Sequence, residues 1–173
     1  MTAIQRRAVL AAAAAFAAPA VVRAQGAFPG RPVTVLVPFA AGGPTDVITR
    51  LVAEGMGRDL GQPVVVENVT GAGGTIAAGR VAQARPDGHT LLMHHIGHAS
   101  AATLYRKLPY SVLESFAPLG LASDAAMTLV ARPDFPANDL AGFMAEIRQK
   151  GEALNLAHSG LGAANHLCGM LLQ

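Results

Sequence analysis

Three short stretches hold the residue types from which an anion-binding site could be built. Residues 38–46 (PFAAGGPTD), 69–75 (VTGAGGT) and 158–166 (HSGLGAANH) each place glycines just ahead of a helical pattern. None of the three contains Lys or Arg. Glycine lets a ligand approach the main chain closely, and a helix N-terminus offers unpaired N–H groups with about half a positive charge. Carboxylate oxygens bind such places without a cationic side chain.

Other chemistries fit these residues less well. In Gly71-Ala72-Gly73-Gly74-Thr75-Ile76, Ile76 stands where a dinucleotide fingerprint needs its third glycine, and no Gly-Lys-Ser/Thr follows any loop, so nucleotide binding is not expected. His94-His95-Ile96-Gly97-His98 invites a transition-metal reading. No carboxylate lies near it in sequence, and after a strand His94 and His95 should point to opposite faces. The cluster is therefore expected to be structural, with no metal site. Ala157-His158-Ser159-Gly160-Leu161 misses the hydrolase nucleophile elbow at both ends. A serine hydrolase using Ser159 with a histidine is the runner-up; Ser159 reads better as a hydroxyl bonding a ligand or the backbone.

The elements that would position these loops follow an alternating grammar. Val33–Val37 is a continuous apolar run between prolines, as expected of a strand buried on both faces. Thr45 or Gly43 can cap the next helix, with Asp46 in its first turn and Gly61 as its terminator. Val47, Ile48, Leu51, Val52, Met56 and Leu60 recur at helical spacing. Residues 64–66 form a second strand, Thr75 caps a helix running to about Ala84, Pro86-Asp87-Gly88 turns, and residues 90–93 form a third strand. Strands separated by helices predict a parallel sheet covered by helices. Further on, residues 126–131 and 155–157 read as strands. Residues 139–150 read as an amphipathic helix through Leu140, Phe143, Met144 and Ile147, and residues 165–172 as the start of another.

Residues 1–24 have the layout of a cleavable secretory signal: Arg6 and Arg7, an alanine-rich apolar run, and small residues Val22 and Ala24 before Gln25. The run is shorter than the roughly 20 residues that a membrane span needs. The whole chain has 13 basic and 11 acidic residues, and removing Arg6, Arg7 and Arg23 leaves a balance near −1. No clustered basic face remains, so no nucleic-acid partner is expected. The single Cys168 excludes an internal disulfide framework and a cysteine-based zinc cluster. The helical pattern still running at Gln173 suggests a shortened chain, and a non-functional fragment is a further alternative.

Several motifs, in order, resemble the Bug-type substrate-binding proteins of tripartite tricarboxylate transporters. They are the segment 35–46 (VLVPFAAGGPTD), the segment 61–68 (GQPVVVEN), Gly71-Ala72-Gly73-Gly74, the segments 86–92 (PDGHTLL) and 104–110 (LYRKLPY), and Ser159-Gly160 with His166-Leu167. The resemblance implies a periplasmic-binding-protein type II clamshell of the α/β class. Most of one lobe would lie in 25–125, after the signal peptide 1–24, and the beginning of the second in 126–173. It implies a monomeric periplasmic receptor, without enzymatic activity or cofactor, that captures a small carboxylate and delivers it to membrane transporter subunits. The residues carried over as ligand-binding are Phe39, Ala40, Gly42, Gly43, Thr45, Asp46 and His98 from the first lobe, and Ser159, Gly160, Ala163 and His166 from the second. The chain departs from the family pattern at His94 and His95, where small hydroxyl residues are usual, and at residues 161–164, where Ser or Thr is frequent.

Overall fold

The central strand decides the architecture. In the computed structural model, which describes residues 28–159 and 161–172, β1 (Val33–Val37) lies between two parallel partners, β2 (Val64–Asn68) and β3 (Thr90–Leu92). The order is β2-β1-β3, and the register pairs Val35 with both Val66 and Leu91. Val33, Val35, Leu36 and Val37 are all buried, as an apolar strand covered on both faces must be. The signal sequence expected at 1–24 lies outside the described residues, as does Gly160.

Helix α1 (Pro44–Leu60) connects β1 to β2. Gly43 is its extended N-cap without a side-chain bond, Pro44 stands in the first turn, where a missing N–H costs nothing, and Gly61 (φ 65°) closes it by donating to the Gly57 carbonyl. The sheet-facing stripe differs from the expected one. Asp46, Thr49 and Ala53 are buried, whereas Val47 and Leu51 are about half or more exposed. A three-stranded sheet covers only a narrow strip of a helix, and small side chains let the helix approach it closely.

Helix α2 (Thr75–Ala82) follows β2 after a 3-10 turn at Ala72–Gly74, with Ala77 and Ala78 fully buried. Its N-cap is Gly74, not Thr75; Thr75 is the first helical residue, and its hydroxyl donates back to the Ala72 carbonyl at 3.0 Å. Helix α3 (Gly97–Leu104), which the sequence did not announce, follows β3.

From Tyr105 to Asp139 the described chain makes turns and extended segments but no helix or strand. The strands expected at 126–131 and 155–157 are therefore absent, and Met127, Leu129 and Val130 are exposed. An apolar run becomes a strand only beside another strand that completes its ladder, and none of the described residues supplies one here. Helix α4 (Leu140–Lys150) does form, started by Asp139, whose carboxylate accepts the Gly142 N–H at 2.7 Å. None of its residues is fully buried: Phe143, Met144 and Ile147 are only half-covered, Phe143 against the Phe135 ring at 5.6 Å, and Leu140 is exposed. Helix α5 (Ala164–Leu171) begins after Ala163, which is fully buried.

Candidate functional site

Parallel topology places the C-terminal ends of β1, β2 and β3 on one edge of the sheet, where ligands of open α/β folds bind. A cleft of roughly 790 Å³ opens there, lined by Pro38, Phe39 and Ala40, by Thr70 through Gly74, by Tyr105, and by Ser159 and Leu161. All three glycine-bearing loops thus converge on one space, although 82 residues separate the second from the third. No lining side chain carries a charge, so the polarity of the walls comes from main chain, hydroxyl and phenol groups.

The first loop is held rigidly from behind. The Asn68 amide, at the end of β2, donates to the Phe39 carbonyl at 3.0 Å and to Asp46 Oδ1 at 2.9 Å. Asp46 Oδ2 accepts the Gly42 N–H at 2.8 Å and Arg50 Nε at 3.0 Å, and Arg50 Nη2 donates to Asn68 Oδ1 at 3.1 Å. The Arg50 guanidinium above all, then the Gly42 N–H and the Asn68 amide, hold the Asp46 carboxyl well below the usual carboxylate range. Asp46 is thus buried and ionised, and it grips the loop instead of lining the cleft. The Gly43 N–H donates to the Ala40 carbonyl at 3.2 Å. The amides of both Gly42 and Gly43 are therefore engaged inside the loop, and those of Ala40 and Ala41 have no partner among the described residues. Thr45, in the first turn of α1, accepts the Thr49 hydroxyl with its carbonyl.

The second loop runs through four consecutive residues with positive φ: Gly71 (128°), Ala72 (46°), Gly73 (62°) and Gly74 (99°). At Gly73 a side chain would strike the Leu161 carbonyl and come within 2.7 Å of Tyr105 Oη. At Gly74 it would strike His94 Nε2. These two positions need glycine because other loops press directly on them.

The third loop is organised by Asn165, whose side-chain oxygen accepts from Ser159 N (3.3 Å), Ser159 Oγ (3.1 Å) and His166 N (3.1 Å). The Gly162 N–H donates to His166 Nδ1 at 3.3 Å, and the His166 ring lies 4.7 Å from that of His158. The Ser159 proton goes to an amide oxygen, which cannot serve as the general base that a hydrolase nucleophile requires.

His94, His95 and His98 form a layer behind the cleft. The expectation that His94 and His95 point to opposite faces is corrected. β3 ends at Leu92, so strand alternation no longer applies, and both rings contact Phe39, with His95 stacked at 4.3 Å and His94 edge-on at 5.5 Å. His95 N–H donates to His94 Nδ1 at 2.9 Å and Gly97 N–H to His95 Nδ1 at 3.0 Å, so these rings cap the turn into α3. His98 sits against His94 (5.2 Å) and Phe116 (4.8 Å), away from the cleft lining. Burial lowers the pKa of all three, that of His94 to about 3, where the neighbouring His95 and His98 add to the effect. Among the described residues no group of three or more His, Cys, Asp or Glu could hold a metal ion.

Of the residues singled out from the sequence, Phe39, Ala40 and Ser159 line the cleft. Gly42, Gly43 and Asp46 shape the first loop, Ala163 and His166 anchor the third, and His98 lies in the layer behind. Thr70 and Asn165 lie in stretches singled out from the sequence but were given no role of their own, and no site role was expected for Tyr105 or Asn68; Asn68 and Asn165 are the two amides that tie the loops. An asparagine at a strand end or in a first helical turn has many uses, and only the partners it meets identify this one.

The same architecture recurs in known proteins. MatC from Rhodopseudomonas palustris, solved with bound malate, is 46% identical and superimposes with a TM-score of 0.76, over 84% of this chain and 51% of that one. The periplasmic binding protein BugD is 44% identical with a TM-score of 0.73, over 84% and 48% respectively. A UPF0065 protein of Agrobacterium vitis is 45% identical over 90% of this chain and 45% of its own length. The chain spans about half the length of the curated relatives it matches. The profile described as "Tripartite tricarboxylate transporter family receptor" matches residues 48–173. With an α/β parallel sheet, a cleft at its C-terminal edge and that match over most of its length, the chain belongs to the tripartite tricarboxylate transporter receptor family, a family of binding proteins rather than enzymes.

Proposed function

We propose that this protein is a periplasmic receptor that captures a small carboxylate in the cleft between its three glycine-bearing loops and hands it to a membrane transporter. The observation that carries this reading is the cleft itself, where three loops of one type meet with no cationic side chain among them. A carboxylate would be met by the amides of Ala40, Gly71, Ala72 and Gly73, with the Ser159 hydroxyl turning from Asn165 to the ligand. A hydrogen bond from N–H to a charged group contributes about 1.5–3 kcal/mol. Three or four such bonds sum to about 4.5–12 kcal/mol before the association cost is deducted, so useful affinity needs the upper part of that range. Malate bound to MatC supports a carboxylate as the ligand class, and the periplasmic description of BugD supports the compartment.

The two-lobe division is part of the same reading, with residues 25–125 in the first lobe and 126–173 opening the second. Ligand bound to loops of both lobes would favour their closure. The test is a thermal-shift and calorimetric screen of the purified protein against mono-, di- and tricarboxylates, sugars, amino acids and metal ions. Carboxylates should raise the melting temperature, as any ligand selective for the native state must. Stabilisation by sugars, cationic amino acids or metals alone would overturn the proposal.

A further inference from the structure

We infer that Ser100 and Tyr105 form a latch that holds the third loop over the cleft before any ligand arrives. Both come from one element: Ser100 lies in α3, and Tyr105 is the extended residue that ends it. Tyr105 Oη donates to the Leu161 carbonyl at 3.1 Å, and the single Ser100 hydroxyl proton is shared between its own helix at Gly97 O (3.1 Å) and, more weakly, the next carbonyl of the loop, that of Gly162 (3.4 Å). The main chains approach closely enough that side chains are excluded from the contact. A Cβ at Gly97 would fall 2.6 Å from the Gly162 oxygen, one at Gly73 would strike the Leu161 oxygen, and one at Gly162 would lie 3.1 Å from Leu104 Cδ1.

This arrangement sets what Tyr105 can do. A phenol has one proton, and Tyr105 directs it to Leu161, so although its ring lines the cleft, its oxygen offers a bound anion only lone pairs. Tyr105 and Ser100 are therefore positioning residues: they act on the ligand by fixing where the third loop stands. The apparent affinity of a receptor falls by the fraction of molecules in the competent arrangement. Loosening the latch should weaken every ligand by one common factor.

The affinity half of this inference rests on the carboxylate reading; the conformational half does not. The experiment measures distance in the ligand-free protein, with spin labels on the native Cys168 of α5 and on an Arg58→Cys substitution in α1, both exposed positions. The parental protein should give a narrow distribution. Tyr105→Phe combined with Ser100→Ala should give a broader and longer one, with a smaller change in Ser100→Ala alone, which serves if the double variant unfolds. Kd values for a mono- and a dicarboxylate should rise together, about three- to tenfold. Unchanged ligand-free distances in both variants would overturn the latch, as would Kd changes that differ between ligands. If no carboxylate bound even the parental protein, the function reading would fail while the distances still decided the latch.

Discussion

Replacing Asn68 tests whether the first loop is held from behind in the way the geometry indicates. Its amide supplies the Phe39 carbonyl and Asp46 with donors, and its oxygen receives Arg50. Neutral hydrogen bonds contribute about 1 kcal/mol net and bonds to an ionised partner about 1.5–3, and water can replace part of this at a half-buried site. Asn68→Ala should therefore cost about 2 kcal/mol of stability, read as a lower denaturant midpoint at unchanged slope. It should also weaken ligand binding, because Phe39 and Ala40 lose their support.

Asn68→Asp sharpens the test at almost constant shape. It sets a carboxylate against Asp46, which stays ionised far into acid, and against the Phe39 carbonyl. At neutral pH it should be worse than the alanine variant. The introduced carboxyl would titrate higher in the folded than in the unfolded state, so the folded protein takes up its proton first. Its deficit should then shrink as pH falls below that raised folded value and grow as pH rises through it. If both variants matched the parental protein in stability and affinity, or if the aspartate variant showed no pH-dependent deficit, the loop is held by something else.

Three further outcomes follow from named positions. Gly42 has φ 79° and open space around it, whereas Gly43 has an ordinary φ with the Ala40 oxygen 3.2 Å from a built Cβ; Gly42→Val should therefore lower carboxylate affinity about tenfold, roughly 1.4 kcal/mol, and Gly43→Val less, with the reverse order in calorimetry contradicting the loop geometry. His94 is held neutral, with a folded pKa of about 3 against an ordinary 6.5, so its contribution is complete above pH 6.5 and is lost as pH falls toward 3; denaturation curves from pH 7 to 4 should lose stability less steeply in His94→Gln, and equal slopes would count against burial as the cause. Gly55 lies inside α1 with nothing within 4 Å of a built Cβ, so Gly55→Ala should add about 0.5–1 kcal/mol without changing affinity, and a loss of stability in urea melts would show a hidden contact.

The alternation of apolar strand, glycine turn and helix was enough to give β1, α1, β2, α2 and β3 and their parallel direction, but not the order β2-β1-β3. Local periodicity reports which faces must be buried, and a run such as Val33–Val37 has few other ways to hide. Glycine terminators and prolines are equally legible, because Gly61 and Pro44 act through their own backbone restrictions. Tertiary structure decided everything that depends on a partner distant in sequence. Residues 126–131 have strand composition but no neighbouring strand among the described residues, and the apolar stripe of α4 is only half-covered there. Asp46 carries the residue type of a ligand contact, yet Asn68, Gly42 and Arg50 take up its oxygens and make it a clamp. Tyr105, marked in the sequence only as part of the segment 104–110, becomes a wall of the cleft because the fold sets the Leu161 carbonyl before its hydroxyl. Residue type and spacing state what a side chain can do; which of those possibilities is used depends on the donor or acceptor that folding brings within about 3 Å of it.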